Sequence, residues 1–294
     1  MRIGAIELGG TKTICAVFDG ESLLDKTQFK TVEPAGTVNS ISSFFEGTSI
    51  DAVGIASFGP MCLDPSSEQL GHIYDTVKPG WSNYDVLGNI EKTLGVPAFI
   101  DTDVNVACLG EVGYGVCRGM SQAAYITVGT GIGVGIVLDS KPYHGTMHPE
   151  AGHTFVGKVD GDSFEGICPF HGDCVEGLAC GPAISKRTGL DPDIIPSDSS
   201  AWVVESKYIA RLCYNLALTL SPEAIVIGGG VMKKNFLYDM IRVEFSQMNR
   251  SYLKCGDVLR PEKYILEPGL NGDQALYGCL KLVFDHLKCD RSTR

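Results

Sequence analysis

Short apolar runs alternate along the chain with longer stretches in which apolar residues recur every three or four positions. The runs at Ile3–Leu8, Thr13–Phe18, Ala52–Ala56, Ala98–Ile100, Ala123–Val128, Val134–Leu138 and Ala224–Ile227 read as strands. The stretches Val86–Leu94, Val104–Tyr114, Trp202–Leu220 and Ala275–Phe284 read as helices. Strands and helices in alternation imply an α/β fold whose sheets are largely buried. The first two strands flank the tight turn Gly9-Gly10-Thr11-Lys12, which predicts a β-hairpin and not the strand-to-helix entry of a dinucleotide-binding unit.

Two stretches break the pattern. Gly145 to Gly181 is rich in Gly, His, Cys and acidic residues and has no period, so something must order it. Asp191 to Ser200 carries three Asp, three Ser and two Pro and reads as an exposed linker. A faint internal echo joins Gly-Gly-Thr after the first strand to Gly-Thr-Gly after a middle one, as a duplicated nucleotide clamp would leave.

Three glycine clusters each follow an apolar strand: Gly9-Gly10-Thr11-Lys12, Gly129-Thr130-Gly131-Ile132-Gly133 and Gly228-Gly229-Gly230. A phosphate asks for clustered backbone N–H donors without side chains in the way, plus hydroxyls, and Gly/Thr turns supply both. None of the three has the spacing of a P-loop or of a dinucleotide fingerprint. Any one of them alone is more often a plain hairpin turn; three at separate strand ends point to phosphate.

Composition narrows the classes. The net charge is −11 and no Lys/Arg run occurs, which argues against nucleic acid as a partner. The chain enters directly as a strand, with no charged segment ahead of a long apolar one, and no apolar run has the length of a bilayer crossing. A cytoplasmic protein without a membrane partner is therefore expected. Eleven cysteines are an odd number, and Cys15, Cys108, Cys213 and Cys279 sit inside apolar runs, as buried thiols do in a reducing compartment.

Taken together, these pieces resemble the ROK family of sugar kinases, over nearly the whole chain. The family's first phosphate motif is similar to Glu7-Leu8-Gly9-Gly10-Thr11-Lys12, its second to Thr127–Gly133, and its adenosine motif to Ile225–Val231. Its signature resembles Glu150-Ala151-Gly152-His153 followed by a zinc loop, Cys168-Pro169-Phe170-His171-Gly172-Asp173-Cys174-Val175-Glu176-Gly177. The resemblance implies an actin-like ATPase (ribonuclease H-like) fold with two lobes around a nucleotide and sugar cleft. We expect a smaller N-terminal lobe over 1–115 and a larger one over 116–294 that carries the zinc loop at about 150–180, with the last helix packing back on the first lobe.

Several details lean toward bacterial-type fructokinases. Glu7 stands where many members have Asp, Thr102 where glucokinases have Asn, and Cys-Pro-x-His-Gly-x-Cys replaces the more cysteine-rich glucokinase loop. Ser57-Phe58-Gly59-Pro60 and Lys78-Pro79-Gly80-Trp81 are similar to fructokinase elements. Leu8 is bulkier than the family pattern and Cys180 replaces a Ser, departures that bear on packing alone.

The resemblance implies roles for particular residues. Asp103, after a strand and at the start of a helix, is the expected catalytic base, orienting the attacking alcohol and accepting its proton. The plainer alternative for Asp103 is a helix N-cap, and Asp101 is the second candidate for the base. Gly59, Thr102, Asp103, Glu150, His153 and Glu176 are the expected sugar contacts. Gly9, Gly10, Thr11, Lys12, Gly129, Thr130, Gly131, Gly133, Gly228, Gly229 and Gly230 are the expected ATP contacts, and Glu7 with Asp103 the candidates for Mg²⁺. His153, Cys168, His171 and Cys174 supply four borderline-soft ligands, enough to close a structural zinc site and to order the irregular stretch. Asp273 to Gly278 resembles a helix entry that closes the adenine pocket, Trp81 reads as core or hinge packing, and His144 and His148 read as surface residues.

The leading expectation is transfer of phosphate from ATP to the C6 hydroxyl of fructose. Glucose, mannose or another hexose is the alternative within the class, and a homodimer is implied. A catalytically weak sugar-sensing regulator is the alternative from another class; regulators of the family carry an N-terminal DNA-binding extension, whereas here the phosphate hairpin starts at Met1. An assembly protein of the same fold would have no use for the zinc loop.

Overall fold

The computed structural model describes residues 1–292, with side chains through Lys288. In chain order the elements are β1 (Arg2–Leu8), β2 (Lys12–Asp19), β3 (Ser22–Lys30), α1 (Pro34–Phe45), β4 (Ala52–Ser57), α2 (Val86–Leu94), β5 (Ala98–Thr102) and α3 (Asp103–Gly113). There follow β6 (Ala123–Val128), β7 (Ile132–Leu138), β8 (Lys141–Pro142), α4 (Val175–Ala179), α5 (Gly181–Thr188), α6 (Ser200–Leu220), β9 (Ala224–Gly228), α7 (Phe236–Asn249), α8 (Pro261–Tyr264), β10 (Ile265–Leu266) and α9 (Gln274–Ser292).

The chain divides into two units. The first holds Met1–Gly119, Ser140–Pro149 and the segment from Gly269 onward; the second holds Met120–Asp139 and Glu150–Pro268. In the first, the strand order is β3-β2-β1-β4-β5. β1 pairs antiparallel with β2 and parallel with β4, which pairs parallel with β5. Ile3 to Ile6 are buried on both faces, as a central strand requires. β3 is exposed apart from the half-buried Leu23, Thr27 and Phe29, and it closes the edge.

In the second unit, β6 pairs antiparallel with β7 and parallel with β9, and β9 pairs parallel with β10. The local plan therefore repeats: a hairpin with a glycine turn, then a parallel neighbour on the other side of its first strand. The echo between Gly9-Gly10-Thr11 and Gly129-Thr130-Gly131 falls on that shared position.

Each unit has its own apolar core. Ile6, Leu8, Val17, Ile41, Phe45, Ile55, Trp81 and Ile90 belong to one. Ile126, Val134, Leu178, Trp202, Leu212, Ile227 and Phe245 belong to the other. Trp81 is 1% exposed, meets Phe58 and Tyr84 edge to face, and donates its indole N–H to the Val32 carbonyl at 2.8 Å, so it is core packing.

Glycines let α9 lie close against its neighbours in the first unit. A Cβ on Gly278 would stand 1.8 Å from the Val106 carbonyl oxygen, and one on Gly54 would stand 2.4 Å from that of Cys279. Only hydrogen at these positions permits α9 to rest on α3 and β4 at this distance.

The stretch expected to be an exposed linker contains a short 3₁₀ turn at Pro192–Ile194, and Ile195 is buried. Among the described residues no helix is long and apolar enough to cross a membrane.

Candidate active site

In the first unit, the turn after β1 is closed by Gly9 N–H donating to the Lys12 carbonyl at 3.0 Å. Thr31 Oγ1 donates to the Gly9 carbonyl at 2.7 Å and meets Thr13 Oγ1 at 2.8 Å, fastening the turn to the sheet. A Cβ on Gly9 would sit 2.9 Å from the Lys12 oxygen, and Gly10 faces open space. Gly10, Thr11 and Lys12 are exposed. Glu7 lies one residue before this turn's last strand position. Burial pushes its carboxyl up, Lys12 pulls it back, and Asp273 and Lys26 act weakly in opposite senses. Lys26 and Asp273 are themselves paired at 2.8 Å.

Asp103 opens α3, but it is not the cap. Thr102 is, with extended backbone and its hydroxyl accepting from Asn105 N–H at 3.3 Å. The N-cap alternative for Asp103 is thus filled by its neighbour, and Asp103 Oδ1 accepts from Val104 N–H at 2.9 Å. Asp101, the other candidate for the base, is 2% exposed and fully engaged. Its Oδ1 accepts from Thr102 N–H at 2.7 Å and Asn105 Nδ2 at 2.9 Å, and its Oδ2 lies 2.8 Å from His144 Nε2.

Gly59 sits beside His148, which is buried and not at the surface as its sequence context suggested. Burial pushes the His148 ring's pKa down, so it is neutral and its Nε2 accepts from Met61 N–H at 3.1 Å. His144 does keep an exposed face, but it is bonded to Asp101. Neither interaction leaves a mark in a loop without periodicity; the four-residue spacing of Asp101 and Asn105 is the one signal that a local staple existed.

In the second unit the remaining candidates converge around Ile132. Glu176, in the first turn of α4, accepts from Ile132 N–H at 3.0 Å. A Cβ on Gly131 would stand 2.6 Å from the same carboxylate, and one on Gly152 would stand 1.7 Å from the Ile132 carbonyl oxygen. Gly152 is thus required by close backbone packing on the second glycine turn, whereas a side chain at Gly131 would meet only the movable end of Glu176. Burial first, and the Glu176 carboxylate second, push Glu150 up to about 7, although its side chain keeps contact with solvent.

His153, Cys168, His171 and Cys174 bring their ligand atoms within 4.8 Å of one another. His153 Nδ1 lies 3.5 Å from Cys174 Sγ and 3.7 Å from Cys168 Sγ, and His171 Nδ1 lies 3.6 Å from Cys168 Sγ. The other ring nitrogen of His153 stands 3.9 Å from Glu176 Oε1. One imidazole therefore faces the cysteines on one side and a carboxylate on the other. Gly177 permits this packing, since its Cβ would strike the Gly172 carbonyl oxygen at 2.0 Å.

The second and third glycine clusters meet at one cavity of about 970 Å³, lined by Gly129, Thr130 and Gly230. Gly229 holds φ +97° with Val128 backbone atoms 2.3–2.6 Å from where its Cβ would be, so the turn after β9 admits only glycine there. Sequence reasoning missed the rest of the lining, which includes Gly181, Ser185 and Lys186 on α5, Asp191 and Asp193, and Lys233 and Lys234. Lys234 also stands over the Trp202 ring at 5.1 Å. Gly/Thr turns together with three lysines around a space of this size suit a polyanionic ligand such as a nucleotide.

Comparison with known proteins decides the family. The model of the ROK family matches residues 3–285. The chain belongs to the ROK family. It is 37% identical over 290 residues to a fructokinase of Pediococcus pentosaceus, covering 98% of this chain and 99% of that one. It is 41% identical over 282 residues to a fructokinase of Zymomonas mobilis, covering 92% of each. Among solved structures, the ROK hexokinase of Thermus thermophilus superposes with a TM-score of 0.78 at 23% identity, over 98% of this chain and 100% of that one. A ROK family glucokinase from Streptomyces griseus, in complex with glucose and AMPPNP, gives 0.75 at 23% identity over 97% and 99%. These structures bear out the α/β, actin-like ATPase fold expected from the sequence.

Proposed function

We propose that this ROK protein is an ATP-dependent fructokinase that converts D-fructose to fructose 6-phosphate. The observation that carries the reading is identity of 36–41% to several fructokinases, with nearly full coverage of both chains. The glucokinase relatives are more distant, for example 31% identical over 62% of this chain.

In this reading the two units are the lobes of the kinase. Asp103 orients the C6 hydroxyl and accepts its proton as the oxygen bonds to the γ-phosphorus and ADP departs. Its place beside the cap, with Thr102 serving the helix, favours it over Asp101, which is 2% exposed and already takes three donors. Gly59, Thr102, Glu150, His153 and Glu176 are the proposed sugar contacts, carboxylates being suited to vicinal hydroxyls. The turns at Gly9–Lys12, Gly129–Gly133 and Gly228–Gly230 are the proposed ATP contacts. Glu7 and Asp103 would hold Mg²⁺, which neutralises charge on the β- and γ-phosphates when bound.

The four-residue cluster is proposed as a structural zinc site. Zinc–sulfur and zinc–nitrogen bonds of about 2.3 and 2.0 Å at a tetrahedral angle separate ligand atoms by roughly 3.3–3.8 Å, with sulfur–nitrogen pairs near about 3.5 Å. The separations of 3.5, 3.6 and 3.7 Å fit that donor set. Four protein ligands close the sphere, so its part is to order 150–180 and to hold His153 toward Glu176.

We also infer a cytoplasmic homodimer; light scattering on the purified protein reads the oligomeric state directly, and a monomer at micromolar concentration would contradict the dimer. The mechanism is tested with Asp103→Asn. Loss of at least about a thousandfold in kcat, with ATP binding kept, supports Asp103 as the base, and phosphorus NMR of the wild-type product should show phosphate on C6. Near-normal turnover by Asp103→Asn would move the role elsewhere.

A further inference from the structure

The segment 140–149 belongs to the first unit although its chain neighbours on both sides belong to the second. It carries two histidines that no motif absorbed, and each grips a loop carrying candidate site residues. His148 holds Met61, next to Gly59 and Pro60. His144 holds Asp101, two residues before Asp103.

We propose that His144 is a positioning residue for the phosphoryl-transfer step, acting through Asp101 to fix the turn that presents Asp103. The inference rests on the reading of Asp103 as the base. Asp101 is the next-to-last residue of β5 and is buried, where a carboxylate is tolerated only with its oxygens bonded. One oxygen takes the Thr102 N–H and the Asn105 amide, the two residues that flank the start of α3. The other takes His144 Nε2 at 2.8 Å. Thr102 Oγ1 then closes the loop on Asn105 N–H. Asp103 lies inside this ring of bonds, so its carboxylate is placed by the orientation of Asp101.

Without His144, the second Asp101 oxygen is left buried with no protein donor among these contacts. The carboxylate must then turn toward solvent, and the Thr102 and Asn105 bonds to its first oxygen go with it. Displacements of the order of 1 Å at a reacting group cost about a hundredfold in rate. The His144 side chain is itself 34% exposed, so its loss opens no core cavity and leaves the fold standing. The Asp101 hydrogen bond favours the protonated ring, which keeps a donor at Nε2 whichever tautomer the neutral ring would choose.

The test compares wild type, His144→Ala, His144→Gln, Asp101→Asn and the His144→Ala/Asp101→Asn double variant, at saturating and varied fructose and ATP. Glutamine is the conservative replacement because its amide nitrogen reaches about as far as Nε2. We expect His144→Ala to lower kcat roughly ten- to a hundredfold with the KM for ATP changed less than about twofold. Glutamine should restore most of the loss, and the double variant should be no worse than the poorer single, as residues in one network behave. Amide exchange at 102–105, measured without substrate, should quicken in the alanine variant and not in the glutamine one. Unchanged exchange, kcat within about twofold of wild type, or equal damage from alanine and glutamine would overturn the inference. Wild type inactive on fructose, with the exchange difference present, would overturn the fructokinase reading while the brace stands.

Discussion

Burial and the neighbouring Glu176 carboxylate push Glu150 up to about 7, and that value falls where a kinase works. An ionised carboxylate accepts sugar hydroxyl hydrogen bonds more strongly than a neutral one. The carboxyl is ionised above this pH and protonated below it. The KM for fructose should therefore fall as pH rises from about 6 to about 8, by up to roughly tenfold, the change in the ionised fraction. Steady-state kinetics across that range with Glu150→Gln should show a flat profile; a variant with the wild-type slope would remove Glu150 from the sugar site. Glu205 offers a contrasting case. It is 1% exposed on α6, neither carboxylate oxygen has a hydrogen-bond partner, and burial pushes its carboxyl well above the usual range against a weaker pull from Arg187. The folded state keeps this proton where the unfolded chain releases it. Its contribution is thus fully present below about pH 4.5 and is lost as pH rises toward the folded value. Glu205→Gln should melt higher than wild type at pH 8, with the gap shrinking toward pH 5. A gap independent of pH would show that the carboxyl does not titrate in this way.

At the scale of elements, what could be read in advance followed from the strength of local signals. The bounds of α2 were legible because Asp85 caps Gly88 N–H and Gly95 ends the helix in the left-handed conformation. β3 and α1 were not read in advance, although Glu33 caps Gly36 N–H and Pro34 opens the helix. β3 is an edge strand with four charged or amide side chains, and α1 is built from Ser, Thr, Asn and Gly, which have weak helical propensity. The motif glycines stood out in the sequence as candidate ligand turns, whereas their packing role did not, because it depends on partners distant in sequence. Gly278 shows this most sharply, since its contact with Val106 spans the first unit. Gly278→Ala should cost about 1–3 kcal/mol, read as a lower melting temperature, because α9 must lift from α3. An unchanged melt would mean that the helices separate freely. The cysteine–histidine cluster was legible from spacing alone, and its geometry invites a second test. Treatment with a strong chelator, or Cys168→Ser, should lower the melting temperature and open 150–180 to proteolysis, with about one zinc per chain released. Purified protein that holds no metal and resists protease in that segment would contradict the assignment.

For the whole molecule, two units of like plan each bring one hairpin with a glycine turn, and the motifs divide between them. Glu7, Gly59, Thr102 and Asp103 lie in the first; Glu150, His153, Glu176, the Cys/His cluster and the cavity edged by Gly129 and Gly230 lie in the second. The order of these motifs along the chain was readable, and it led to the ROK family, because each motif is short and locally complete. The identity of the sugar was not readable to the same degree. A hexose is distinguished by one or two hydroxyl contacts, and a single unpaired polar group in the site decides the preference. The measurement that bears most directly on the account is therefore kcat/KM from ADP release with MgATP against fructose, glucose, mannose and N-acetylmannosamine. The account predicts fructose ahead of each of the others by at least about tenfold, as loss of one matched polar contact gives. A higher value for any other sugar, or no sugar-dependent release at all, would contradict it.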